Sequence, residues 1–274
     1  MDIVKSFIKR YLPSNLKIIA VYLLNKQVNP YSLKSELFLP ECISDFFVWS
    51  HEFNSIYFIA ENTNALINGK EEEISHVFSF YSPYGDYLGE HEYTTKEFIA
   101  RIKLHLDFEA NEYKYISFTH ITYSKISLQE TLEKKGIEPN LKISNQNRGY
   151  TIYYPEKNKT GCAVHGNFGG IASNNNKTAK QRASFIYTPT YRFDKSATYH
   201  LVFNNPTDKK LEIRIYTLTD REIKIISLST MGSDFIELKD FSGGISIESK
   251  LPICRPVIFK NPPPNTKGFD VFHS

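Results

Sequence analysis

Cysteine, methionine and tryptophan are all scarce: the 274-residue chain carries three, two and one of them. Cys42, Cys162 and Cys254 form no C-x-x-C pair, and an odd number cannot close a pure disulfide framework. The expectation is therefore free thiols in a reducing, cytoplasmic compartment. Long apolar runs are missing too. Near the N-terminus the longest is Ile18–Leu24, far short of the ~20 residues a membrane span needs, and no signal-peptidase site follows it. Charge of one sign is also lacking. With 33 Lys and Arg against 30 Asp and Glu, the net +3 gives no reason to expect a nucleic-acid partner. No Walker loop, G-x-G-x-x-G, H-E-x-x-H or G-x-S-x-G occurs, which disfavours nucleotide-binding and Rossmann-type enzymes.

What the chain does have is aromatic residues, 18 Tyr and 20 Phe, and these favour strands. From about Ser35 onward, short apolar runs alternate with turn residues. Ser55–Ala60 precedes Glu61-Asn62-Thr63-Asn64, read as a turn, and Val77–Tyr81 precedes Ser82-Pro83-Tyr84-Gly85-Asp86. Phe98–Leu106 and Tyr115–Tyr123 alternate with period two. The second half repeats this style at Thr198–Phe203, Leu211–Tyr216, Ile223–Leu228, Phe235–Leu238, Ile245–Ser249 and Val257–Phe259. The expected fold is all-β, mostly β with a few short helices, in two tandem antiparallel β-sandwich-like modules.

The halves also suggest a duplication. Phe80-Tyr81-Ser82 parallels Ile215-Tyr216-Thr217, and Phe98-Ile99 parallels Phe235-Ile236. Tyr57 parallels Tyr199, and Ile116-Ser117-Phe118 parallels Ile245-Ser246-Ile247. Between them Ser127–Gly136 reads as a short helix, with Ser127 and Glu130 placed as a capping box and Gly136 as its stop. The expected division is an N-terminal helical segment over 1–30, a first module over 31–145 and a second over 146–274. In the first segment Ile3, Val4, Phe7, Ile8, Tyr11 and Leu12 form one apolar stripe opposite Lys5, Lys9 and Arg10. Residues 1–12 could thus make weak contact with an anionic membrane surface, giving a peripheral location within the cytoplasm.

Chemistry-bearing residues are dispersed. The eight histidines show no local metal-ligand spacing, so no metal site is assigned and no cofactor is named. Thr160–Arg182 is the most unusual stretch, with Gly161, Gly166, Gly169 and Gly170 beside Cys162, His165 and Asn167. Glycines let a ligand approach the backbone, imidazole and amide groups donate and accept, and a guanidinium grips anions with two hydrogen bonds. His165, Asn167 and Arg182 are therefore the candidate ligand-binding residues, with Tyr150, Tyr153 and Tyr154 as a stacking wall. Cys162 and His165, three apart on a strand, would face opposite ways, which counts against a catalytic dyad. The C-terminus after Pro262-Pro263-Pro264 reads as one last docked strand, which adds His273 to the candidates.

These readings favour a non-catalytic binding or assembly protein, with carbohydrate or another small polar ligand as the first partner, since aromatic rings offer apolar faces with polar edges. The alternative is a metal-assisted or acid–base enzyme acting on sugars or surface-glycan precursors.

Overall fold

The structure, a computed structural model, describes residues 42–106, 112–126, 128–136, 149–157, 160–166, 185–205, 210–249 and 255–273. The amphipathic segment expected over residues 1–12 lies outside them. Among the described residues nearly all regular structure is strand, arranged in four antiparallel four-stranded sheets with no closed barrel. Among the described residues no helix is long and apolar enough to cross a membrane.

The first half contributes β1 (Cys42–Trp49), β2 (Ser55–Glu61), β3 (Ile74–Tyr81), β4 (Tyr87–Thr95), β5 (Ile99–Lys103), β6 (Ile116–Ser124), β7 (Gly149–Tyr154) and β8 (Cys162–His165). They form sheet I, in the order β1-β6-β3-β4, and sheet II, in the order β5-β2-β7-β8. The second half contributes β9 (Phe185–Tyr187), β10 (Tyr199–Asn204), β11 (Leu211–Thr217), β12 (Glu222–Leu228), β13 (Ser233–Leu238), β14 (Ile245–Ser249), β15 (Val257–Lys260) and β16 (Asp270–Phe272). These form sheet III, in the order β9-β14-β11-β12, and sheet IV, in the order β13-β10-β15-β16. Counting each half's strands from one to eight, both halves read 1-6-3-4 and 5-2-7-8. Each paralleled segment noted in the sequence belongs to, or begins, strands of equal rank: β2 and β10, β3 and β11, β5 and β13, β6 and β14.

β7 pairs with β2 through six residues, and β8 pairs with β7. Strands β7 and β8 thus lie in sheet II beside the strands that precede residue 145.

Among the described residues two short helices interrupt the strands. Helix α1 (Thr63–Asn68) occupies a stretch whose composition reads as a turn. The Asn62 side chain accepts from Ala65 N at 3.1 Å, and Gly69 closes the helix in the left-handed region at φ 68°. Together these satisfy orphan backbone groups at both ends. Helix α2 (Leu128–Lys134) lies where the sequence places one.

The second sandwich buries Tyr199, Leu201, Phe203, Ile213, Ile215, Ile245 and Ile247 between sheets III and IV. The first buries Phe47, Phe58, Phe78, Phe80, Ile102 and Phe118 between sheets I and II. The first core continues onto the other face of sheet IV through Val202, Val257, Phe259 and Val271. Phe259 sits 5.1 Å from Tyr153, 5.3 Å from Tyr115 and 5.5 Å from Phe53. Sheet IV is therefore covered on both faces, and β10 is buried at every residue.

Candidate functional site

The outer faces of sheets II and IV hold equivalent positions in the two sandwiches, but only that of sheet IV is covered by the other half. On sheet II, strand alternation sends Tyr57, Tyr150, Ile152, Tyr154, Ala163 and His165 outward, with Ile99, Arg101 and Lys103 on the edge strand β5. Register aligns them. Arg101, Ile59, Tyr150 and His165 form one row across the four strands, and Lys103, Tyr57, Ile152 and Ala163 form the next. At the usual strand spacing, a row spans about 14 Å.

The Arg101 guanidinium lies over the Tyr57 ring at 4.3 Å and donates to Tyr154 Oη at 3.1 Å. Tyr57 and Tyr154 meet edge to face at 5.7 Å. Gly161 makes this packing feasible, because a Cβ there would stand 2.7 Å from Ile152 Cγ2 and 2.8 Å from the Tyr154 ring. Across the face, His165 meets Tyr150 edge to face at 5.8 Å. These two, with Ala163 and Val164, line an open concavity of about 340 Å³.

Of the sequence candidates, His165 is thus exposed at the end of β8, on the tyrosine face. Asn167 and Arg182 lie outside the described residues. His273 is brought to His165: β16 pairs with β15, and the His273 ring sits 2.7 Å (Nε2) from the His165 carbonyl oxygen and 3.0 Å (Nδ1) from that of Pro256. Both contacts are to backbone, and the one to His165 ties the ring to the end of β8. Burial lowers its pKa, while the two carbonyls pull the other way. Of the expected stacking wall, Tyr150 and Tyr154 face outward, whereas Tyr153 is fully buried and donates to Val48 O at 2.7 Å. Cys162 turns toward the core, with Sγ 3.8 Å from Phe269 O, and burial raises its pKa. The thiol and His165 do face opposite ways. Tyr57 and Arg101 were not site candidates in the sequence. They join the site only because β2 pairs with β5 and β7, strands remote from one another in the chain.

Two further polar groups are enclosed. Tyr115 Oη lies 2.6 Å from His200 Nδ1, and His200 Nε2 lies 3.1 Å from Glu237. A neutral His200 accepts from the tyrosine and donates to the carboxylate; burial lowers its pKa and so favours that form. The chain crosses the seam between the halves, with Tyr115 and His200 both inaccessible. In the first core, His76 Nδ1 lies 3.0 Å from His120 Nε2, and His76 Nε2 lies 2.9 Å from Thr95 Oγ1. Among the described residues no group of three His, Cys, Asp or Glu is arranged to hold a metal.

No protein-family model matches the chain, and no curated protein matches it. Among solved structures, the M60 catalytic domain with the CBM51-1 and CBM51-2 domains of Clostridium perfringens ZmpB aligns at a TM-score of 0.19 and 6% identity, over 74% of this chain and 31% of that one. Procruciferin, an 11S globulin of Brassica napus, aligns at 0.14 and 8% identity, over 86% and 87% of the two chains. The PBSX exported protein XepA aligns at 0.11 and 7% identity, over 82% and 93%. At such TM-scores these likenesses carry no argument about fold or function.

Proposed function

We propose that this is a non-catalytic glycan-binding protein whose ligand lies across the outer face of sheet II. One observation carries the reading: three tyrosines and an arginine held between two of them share one sheet face that no other sheet covers among the described residues, with His165 and a concavity at its far side. Sugar rings present apolar C–H faces rimmed by hydroxyls. A tyrosine ring offers the complementary apolar face with a polar edge, and Arg101 and His165 supply hydrogen-bond donors around it. The strand framework fixes these groups before any ligand arrives, so little ordering entropy is lost on binding.

A glycan array followed by calorimetry with the parent and with Tyr150→Ala and His165→Ala tests the reading. The expected result is saccharide binding by the parent and a loss of about tenfold or more in Tyr150→Ala, in keeping with removal of a central aromatic. Absence of any saccharide binding, or turnover of a sugar substrate by protein purified with stoichiometric metal, would replace this reading with an enzymatic one.

A further inference from the structure

Arg101 differs from an ordinary surface arginine. Its guanidinium is stacked on Tyr57 and tied to the Tyr154 hydroxyl, so its plane is fixed. No carboxylate stands within ion-pair distance of it among the described residues, whereas Arg214 on the other sandwich pairs with Glu212 at 2.8 Å. A guanidinium stacked on a ring keeps its N–H edge free, and that edge matches the two oxygens of a carboxylate. Lys103 on the same strand has the same sign, and His165 stands at the far end of Arg101's row, while Glu61 is the acidic residue projecting from the outward positions of β2.

We propose that the tyrosine face selects saccharides carrying a carboxylate, with Arg101 as the group that grips it. This rests on the glycan-binding reading above and adds its specificity. Uronic acids and sialic acids present the same chemistry, so two matched pairs separate them: oligogalacturonate with its methyl ester, and sialyllactose with lactose.

Calorimetry of the whole chain at low salt reads the affinity ratio within each pair. The acidic member of at least one pair should bind about tenfold tighter than its neutral partner, the scale of a charge-assisted bidentate contact. Which pair shows the ratio identifies the sugar class. Arg101→Gln should bring that ratio to about one. Lys103→Gln removes the same charge from the same strand without touching the tyrosine clamp, and should keep most of the ratio. Equal binding of acidic and neutral members by the parent overturns the inference and leaves the glycan-binding reading standing. An equal loss in Lys103→Gln and Arg101→Gln assigns the preference to net charge and overturns the role of Arg101. Binding of none of the four compounds overturns the inference together with the reading beneath it.

Discussion

Acidification should destabilise the first sandwich through its buried histidine pair. His120 is fully enclosed, with its ring 4.5 Å from that of Phe58 and 4.8 Å from that of Phe78. Its Nδ1 has no partner among the described residues, and Nε2 meets His76. The proton order that leaves least unsatisfied runs from His120 Nε2–H to His76 Nδ1 and from His76 Nε2–H to Thr95 Oγ1, with both rings neutral. Burial lowers the pKa of His76 from 6.5 to about 4, against a smaller raising effect of Glu97, and pushes that of His120 well down. A histidine whose folded pKa is lowered binds its proton more readily in the unfolded chain. Its contribution is therefore complete above 6.5 and drains away as the pH falls toward about 4. At about 1.4 kcal/mol per pH unit, His76 alone accounts for roughly 3 kcal/mol over that window, and His120 acts in the same direction. The lone tryptophan, Trp49, packs against this core, so urea unfolding followed by its fluorescence reports on the right half of the molecule. Carboxylates titrate in the same range. The informative quantity is therefore the parent's loss of stability minus that of His76→Leu/His120→Leu, which keeps their protonation but removes the imidazoles. The expected difference is about 3 kcal/mol or more between roughly pH 7 and pH 4. A parent and double variant that lose stability in parallel, or imidazole NMR shifts showing either ring charged near pH 6, would refute the reasoning.

Gly161→Ala should destabilise the chain by about 1–3 kcal/mol in urea unfolding, because its new methyl meets Ile152 and Tyr154, and should weaken saccharide binding as those residues shift. Phe259→Ala should cost about 3–5 kcal/mol, and because the ring touches Phe53, Tyr115 and Tyr153 from across the seam, the Trp49 transition in the first half should move with the second. An unmoved Trp49 midpoint would mean that the halves unfold independently.

The strands were legible where one face is buried and the other wet. β11 shows this best, with Leu211, Ile213 and Ile215 inside and Glu212 and Arg214 outside. The matched order of the halves was visible as well, because the same apolar spacing recurs at strands of equal rank. Helix α1 escaped notice because its cap, Asn62, and its stop, Gly69, are also turn residues. That β7 completes sheet II beside β2 had no local signal, because pairing across a long separation in the chain is written in neither strand alone. At the candidate site, His165 could be named from the glycine-rich stretch it lies in, and the tyrosines of β7 from their place just before it. Arg101 could not: its partners Tyr57 and Tyr154 reach it only through two ladders joining three separated strands.

The repeated sandwich also bears on valency. Two copies of one topology would ordinarily offer two equivalent faces to a ligand. Here the second half's equivalent face carries Val202, Val257 and Phe259 and is spent on docking to the first half, so the proposed glycan reading leaves one such face per chain among the described residues. A polymer with many identical epitopes would meet one tyrosine face per chain. Any gain from simultaneous engagement would then have to come from several chains held side by side, with an effective concentration set by their spacing.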